Sequence, residues 1–373
     1  MKKSIHIVLG IILLHLFSAC ELINQGGKEQ EEWPQSDYPL YVLCEGLFNL
    51  NNGTLAYWDG QDEPEKDWFR QKNGRGLGDT PNDIKVYGNK LYLVINVSSQ
   101  VEVIDAKSGK SLKQIPLFTE DDDAKEGGRA RQPRYIAFHQ DKAYISCYDG
   151  TVARLDIASL CIDAHLKVGR HPEGLAVAKG KLYVANSGGL DNPNYDKTLS
   201  VIDLESFTEI KRIEVAINPY KVYADSQGDI YVNSRGDYNA EDYLLQRIDT
   251  DADTLAETFH DLQVLNFTIQ GNTAYLYDFD FGSKYSKIFV MDMEKDEIIR
   301  ENFITDGSLI NTPYGLSLNP FNGDVFIADA YDYLQTGDIL CFSPEGKLKY
   351  RLKDIGLNPN AVVVVDPYMR VNP

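Results

Sequence analysis

Short runs in which apolar and polar positions alternate recur along the chain, and each carries an aromatic residue in the same place. The run LYVAN, from Leu182 to Asn186, is representative. Alternation with a period of two predicts a β-strand, and an aromatic repeated on one side of such strands is expected to pack between adjacent sheets. Seven strands share this aromatic position: Tyr41, Tyr92, Tyr144, Tyr183, Tyr231, Tyr275 and Phe326.

The residues that flank these strands repeat as well. A proline stands shortly before most of them, where its fixed φ and missing N–H suit a turn that leads into an innermost strand. An aspartate follows the third strand of every repeat except the last complete one, which has Ser343, and it can accept backbone N–H bonds in a tight turn. The prolines are Pro81, Pro133, Pro172, Pro219, Pro313 and Pro359, and the aspartates are Asp59, Asp105, Asp156, Asp203, Asp249 and Asp292.

The spacing of the repeats predicts the fold. Successive aromatics lie 39 to 52 residues apart, which leaves room for four short strands per repeat. Such units predict an all-β protein, a seven-bladed β-propeller. The last repeat has one strand, from Asn360 to Asp366, and the first has three, from Tyr38 to about Arg70. We therefore expect a seventh blade closed by three N-terminal strands plus one C-terminal strand, which removes the open sheet edge.

The N-terminal end predicts export. Lys2 and Lys3 precede the apolar run from Ile5 to Phe17 and the small residues before Cys20, the plan of a signal peptide too short for a membrane span. The stretch LFSAC resembles the bacterial lipoprotein box, which implies a signal peptide over 1–19 and lipidation of Cys20. A polar tether then covers 20–36, and the propeller covers 37–373. The acidic tether resembles the export signal of surface-exposed Bacteroidetes lipoproteins.

Charge and cysteine content narrow the partners. The formal net charge of −19 repels phosphate backbones, so we expect no nucleic acid partner, and membrane contact through the lipid anchor only. Beyond Cys20, the four cysteines Cys44, Cys147, Cys161 and Cys341 lack zinc spacing and are expected to be small buried hydrophobic residues.

Four long loops are expected on one face of the propeller, around the mouth of the central channel. They run over 187–197, 234–243, 278–287 and 329–338 and are rich in tyrosine and phenylalanine, which suit recognition of a large polar ligand. Ends of second strands and the turns before first strands add an inner rim. The predicted ligand-binding residues are Glu45, Asn96, Tyr135, Tyr148, Asn186, Tyr220, Lys221, Arg235, Tyr238, Asp278, Phe281, Tyr314, Asp329, Tyr331 and Asn360.

Signals of catalysis are weak. The sequence has no GxSxG, HExxH or P-loop motif, so we expect no catalytic residues, no cofactor and no enzyme activity. A ring of Glu45, Asn96, Asn186 and Asp278 could in principle hold a divalent ion, since hard cations take carboxylate and amide oxygens. The main expectation, however, is that the protein has no metal site.

The repeat resembles the YVTN-type, or YncE-like, propeller family, through the proline turn PEGLAV, the strand LYVAN and the strand LSVID. Together with the lipoprotein signal, it is similar to the cobalamin-binding BtuG-type surface lipoproteins of Bacteroidetes. That resemblance implies a protein of the outer membrane surface that binds cobalamin and passes it to a TonB-dependent transporter. Two alternatives remain, namely a metal-dependent, lactonase-like propeller hydrolase and a glycan or protein adhesion module.

Overall fold

The structure of the protein is a computed structural model that describes residues 33–119, 128–239, 243–280, 282–283 and 285–366. The strands formed by these described residues all lie in one compact unit, which begins at Ser36. The predicted signal peptide, Cys20 and nearly all of the predicted tether lie outside the described residues.

The described chain begins with strands β1 (Leu40–Cys44) and β2 (Thr54–Trp58) and the helix α1 (Trp68–Asn73). Six antiparallel sheets of four strands follow in chain order. Blade 1 contains β3 (Pro81–Tyr87), β4 (Lys90–Ile95), β5 (Gln100–Asp105) and β6 (Ser111–Pro116). Blade 2 contains β7 (Pro133–His139), β8 (Lys142–Cys147), β9 (Thr151–Asp156) and β10 (Cys161–Lys167). Blade 3 contains β11 (Pro172–Ala178), β12 (Lys181–Asn186), β13 (Thr198–Asp203) and β14 (Thr208–Glu214).

The remaining blades continue the pattern. Blade 4 contains β15 (Pro219–Ala224), β16 (Ile230–Ser234), β17 (Leu244–Asp249) and β18 (Thr254–Phe259). Blade 5 contains β19 (Asn266–Gln270), β20 (Thr273–Asp280), β21 (Tyr285–Asp292) and β22 (Glu297–Arg300). Blade 6 contains β23 (Pro313–Leu318), β24 (Val325–Asp329), β25 (Thr336–Phe342) and β26 (Leu348–Leu357). The last strand, β27 (Pro359–Val364), pairs with β1 and completes blade 7.

The blades form a closed ring. The first strand of each blade contacts the first strand of the next, and β27 contacts both β23 and β3. This confirms the predicted seven-bladed propeller and its closure by N- and C-terminal strands. Because each blade shares its faces with its neighbours, the core consists of separate apolar layers between sheets.

Blade 7 differs from the prediction in one element. It has three strands, in the order β2, β1, β27, and only an isolated bridge between Tyr57 and Glu65 stands where the third N-terminal strand was expected. The helix α1 follows instead. Asp67 caps its first turn, and Gly74, with φ 70°, ends it in the left-handed conformation that glycine adopts readily.

The repeated residues have the roles that their chemistry predicts. Asp105, Asp156 and Asp203 each accept the backbone N–H of the serine three residues on at 2.8 Å, in the turn between third and fourth strands. The repeated aromatics are buried between neighbouring sheets. Tyr231 of blade 4, for example, packs with Phe267 of blade 5 in one cluster.

The cysteines match the prediction with one exception. Cys44, Cys147 and Cys341 are buried and Cys161 is exposed, and none of these four forms a disulfide. Cys161 is the first residue of β10, an outermost strand with no further sheet to cover it.

Candidate functional site

The face that carries the turns before first strands and the loops between second and third strands is called the loop face below. The central channel opens there through a cavity of about 150 Å³. Its wall combines residues from blades 1, 2, 4, 5, 6 and 7. Seven predicted site residues line it together: Glu45, Tyr135, Tyr220, Lys221, Arg235, Tyr314 and Asn360.

A repeated backbone turn brings these side chains to the channel. Asn218 and Asn358 each precede a strand-opening proline and have φ of 59° and 52°, in the left-handed region that asparagine tolerates. Their carbonyls accept the backbone N–H of Arg235 at 2.9 Å and of Glu45 at 3.0 Å. Glu45 and Arg235 directly follow the second strands β1 and β16. The two bonds hold them beside the starts of the first strands β27 and β15.

Two tyrosines and two cations form one side of the mouth. The hydroxyls of Tyr135 and Tyr220 are 2.8 Å apart. The Arg235 guanidinium carbon lies 3.3 Å from the Tyr220 ring centre, and the Lys221 ammonium lies 4.2 Å from that of Tyr135. Burial acts to raise the pKa of Tyr220, but Lys221 and Arg235 outweigh it, and the pKa is lowered. The pKa of Tyr135 is raised, mainly by burial.

A carboxyl group occupies the other side. Glu45 accepts hydrogen bonds from the Tyr314 hydroxyl at 2.7 Å and from the Asn360 amide at 2.8 Å. Burial raises the pKa of Glu45, although these two hydrogen bonds and the positive charges of Arg134 and Lys221 act against it.

A buried ion pair behind Tyr135 escaped the sequence prediction. Arg134 donates to Glu173 at 2.8 Å and lies 4.7 Å from the ring centre of Tyr148, whose hydroxyl also donates to Glu173. The predicted residue Tyr148 thus adjoins the mouth through this network. The signal was present, because Arg134 and Glu173 each follow a strand-opening proline, the position that Tyr220, Tyr314 and Asn360 occupy in other blades.

Three predicted rim residues lie in the interior. The Asn186 and Asp329 side chains are fully buried, and the Asn96 side chain is nearly so. Asn186 bonds the backbone of Gly169 and two hydroxyls. Asp329 accepts the backbone N–H groups of residues 311, 312 and 331, and Asn96 donates to the carbonyl of Pro133.

A slip of one residue explains two of these placements. Asn186 and Asp329 are the last residues of their second strands, whereas Glu45 and Arg235 come one position later. Side chains alternate between faces along a strand, so one step changes which way they point. The predictions for blades 3 and 6 therefore fell on positions that bond the local backbone.

The loops place the other predicted residues farther from the cavity. The Tyr238 ring lies 6.2 Å from that of Tyr195 and 6.4 Å from that of Tyr243, so the three rings form an aromatic group on the loop face. The Tyr331 hydroxyl donates to Asp338 at 2.6 Å. The predicted loop 278–287 is mostly strand, because β20 and β21 pair over most of it. Asp278 therefore lies within β20, and burial raises the pKa of its carboxyl group. Phe281 lies outside the described residues.

Residues 38–347 match the sequence profile of a family described as a domain of unknown function, DUF5074. The chain belongs to the DUF5074 family. No curated protein matches the DUF5074 chain significantly.

Solved structures share the fold of this DUF5074 protein at low sequence identity. A quinonprotein alcohol dehydrogenase-like protein from Bacteroides thetaiotaomicron is 15% identical with a TM-score of 0.59, over 88% of this chain and 78% of that one. A functionally unknown protein from Desulfotomaculum acetoxidans is 11% identical with a TM-score of 0.61, over 89% and 100%. Hydrazine synthase from Kuenenia stuttgartiensis is 16% identical with a TM-score of 0.56, over 70% and 76%. At such identities the likeness concerns the fold.

Two features of the described part of the DUF5074 chain bear on metals and membranes. Within it, no group of three or more His, Cys, Asp or Glu side chains is placed to hold a metal ion. The sequence suggested a possible cation ring of four residues, Glu45, Asn96, Asn186 and Asp278. Of these four, only Glu45 lines the cavity. No helix among the described residues is long and apolar enough to cross a membrane.

Proposed function

We propose that this DUF5074 protein is a surface lipoprotein that captures a corrinoid, cobalamin, on its loop face and delivers it to a TonB-dependent outer-membrane transporter. In this proposal no covalent bond is made or broken, and the protein is not an enzyme. The ligand is suggested by the resemblance stated above, and the structure contributes the chemistry of the surface.

The distribution of exposed apolar side chains carries the proposal. Among the large apolar side chains that are exposed, four lie on outermost strands, and Phe321 lies on the face opposite to the loop face. The other large ones are on the loop face: Phe48, Leu50, Phe118, Leu190, Tyr238, Leu309 and Leu334. Exposed apolar groups concentrated on one surface and mixed with polar groups mark a binding surface.

The dimensions of the mouth favour a ligand that lies across it. The mouth cavity of about 150 Å³ is smaller than the pockets of about 300–1,000 Å³ that enclose drug-sized ligands, and the channel cavity of about 320 Å³ that adjoins it at Asn82, Lys221, Asn266 and Asn360 is at the lower end of that range. A corrin ring has a broad apolar face and a rim of amide side chains. Tyrosine rings can cover the first, and the Glu45 and Asn360 side chains can exchange hydrogen bonds with the second.

The test is calorimetric titration of the compact unit, residues 36–373, with cyanocobalamin. Tyr238 lies on the loop face and is 57% exposed. Ile299 lies on the outermost strand β22 and is 55% exposed, so it serves as a control of matched exposure. We expect one corrinoid per chain, binding weakened about fivefold or more by Tyr238→Ala, and no change with Ile299→Ala. Absence of heat together with loss of the red ligand on desalting would show that the proposal is wrong.

The anchoring part of the proposal has its own test. Cys20→Ser in the full chain should move the protein from the membrane fraction to the soluble fraction and abolish labelling by a radioactive fatty acid. Unchanged fractionation would contradict lipid anchoring, while corrinoid binding by the propeller could still hold.

A further inference from the structure

The two cations at the channel mouth have no acidic partner among the residues that the structure describes. The ammonium of Lys221 and the guanidinium of Arg235 stack on the rings of Tyr135 and Tyr220, at 4.2 and 3.3 Å from the ring centres. Neither group has a described carboxylate within salt-bridge distance, and neither side chain donates a hydrogen bond to a described residue. The other channel cations differ, since Arg134 is 2.8 Å from Glu173 and Lys85 is 3.5 Å from Asp83.

The nearby carboxylates are already occupied. Glu173 accepts from Arg134 and Tyr148, and Glu45 accepts from Tyr314 and Asn360. Stacking on a ring satisfies the positive charge of a cation in part but leaves its N–H donors available. Lys221 and Arg235 are therefore half-buried donors beside a cavity and lack an acceptor on the described protein.

This positive site contrasts with the rest of the molecule. The chain has a formal net charge of −19, so a pair of unmatched cations in its channel is not a consequence of composition. Half-buried charged groups are costly unless a counter-charge or hydrogen bonds offset their lost hydration. A bound anion supplies both at once, and two cations that both lie near the Tyr220 ring, at 5.3 and 3.3 Å from its centre, can share one oxyanion group.

We infer that the channel mouth contains an anion subsite, in which Lys221 and Arg235 bind a phosphoryl group and the hydroxyl of Tyr220, which accepts from Tyr135, adds a hydrogen bond. The inference deepens the proposed function, on which it rests for the identity of the ligand. Cobalamin carries one phosphodiester in its nucleotide loop, and that group is the expected occupant. Free inorganic phosphate offers the same chemistry and is the second source to be distinguished.

The experiment compares two corrinoids and a matched pair of variants. Dicyanocobinamide has the corrin ring of cyanocobalamin but lacks the nucleotide loop and its phosphodiester. The double variant Lys221→Met/Arg235→Met removes both cations, and Lys113→Met/Lys167→Met makes the same charge change at exposed positions of β6 and β10. Circular dichroism and thermal unfolding check that each variant retains the fold.

We expect the channel variant to bind cyanocobalamin about ten- to hundredfold more weakly and dicyanocobinamide with unchanged affinity, since a hydrogen bond to a charged group contributes about 1.5–3 kcal/mol. The lysine control should bind both ligands as the parent chain does. Added salt should weaken cyanocobalamin binding to the parent more than to the channel variant. Equal effects of the channel variant on both corrinoids, or none on either, would overturn the anion subsite and leave corrinoid capture in place.

A phosphate arm separates failure of the subsite from failure of the proposed function. If neither corrinoid binds, the proposed function is wrong. Titration of the parent chain with inorganic phosphate at low ionic strength then decides the subsite alone. Heat of binding that disappears in the channel variant and persists in the lysine control supports it, and absence of heat in the parent overturns it.

Discussion

The hydroxyl groups at the repeated aromatic position lead to opposite predictions in two blades. Tyr92 and Tyr231 are both fully buried at equivalent places in β4 and β16. The Tyr231 hydroxyl donates to Asp296 at 2.7 Å and to the carbonyl of Met293 at 3.1 Å. The Tyr92 hydroxyl is buried without a hydrogen-bond partner among the described residues, and burial raises its pKa to about 12.

The same change, Tyr to Phe, should therefore have opposite signs. A buried polar group left without a partner costs about 1–3 kcal/mol, so Tyr92→Phe should raise the free energy of unfolding by about 1 kcal/mol. Tyr231→Phe removes a hydrogen bond to a charged carboxylate and should lower it by about 1.5–3 kcal/mol. The two variants should thus differ by about 3 kcal/mol, although each change removes a single oxygen atom.

Urea unfolding followed by tryptophan fluorescence measures the difference in the free energy of unfolding between the two variants. Neither substitution alters a tryptophan, so the same signal reports on both variants. Equal m-values in the two variants would show that the free energies refer to the same transition. If Tyr92→Phe loses as much stability as Tyr231→Phe, the Tyr92 hydroxyl has a favourable partner and the reasoning is refuted.

Two further predictions concern the channel. Burial raises the pKa of Glu45 above its usual 4.5, so its contribution to stability is full below that pH and is lost as pH rises through the folded-state pKa. The stability of Glu45→Gln relative to the parent should therefore increase from acid to neutral pH in urea titrations; a difference independent of pH would contradict the raised pKa. A Cβ at Gly315 would lie 2.5 Å from the carbonyl oxygen of Asn360, whereas at Gly76 the nearest atom is the flexible tip of Arg70 at 3.3 Å. Gly315→Ala should lower the unfolding midpoint by an amount that corresponds to about 1–3 kcal/mol, and the control Gly76→Ala should leave it nearly unchanged. Equal midpoints in the two variants would be inconsistent with close packing of blades 6 and 7 at the channel.

The fold was predictable from the sequence because its determinants are local and repeated. Alternation, a proline before the first strand and an aspartate after the third each act within a few residues, and together they predicted the seven blades. The helix α1 was missed because six residues are too few to establish a helical period. Its only local signals are Asp67 and Gly74, the residues that cap its two ends.

The candidate site was less predictable because it depends on register and on pairs distant in sequence. Because of the one-residue slip, Asn186 and Asp329 were predicted to lie on the rim, whereas both are buried and bond the local backbone. The Arg134–Glu173 pair joins blades 2 and 3 across 39 positions, and its effect on Tyr148 follows only from their spatial order. Alignment of the repeats on the prolines identifies such positions, but it does not show which charges pair and which stay free.

The position after the strand-opening proline shows how this propeller can carry chemistry without a change of fold. The proline itself fixes the turn, and the next residue is free to vary among Asn82, Arg134, Glu173, Tyr220, Tyr314 and Asn360. Four of these six line the mouth cavity, and Arg134 and Glu173 pair directly behind it. Because the ring brings these positions together from different blades, a single substitution there changes the charge of the mouth while every blade keeps its own turns and aromatic layer. The affinity of the mouth for a ligand should therefore respond to substitutions at these positions, and the comparison of Lys221 and Arg235 with outer-strand lysines tests this dependence at two positions beside Tyr220.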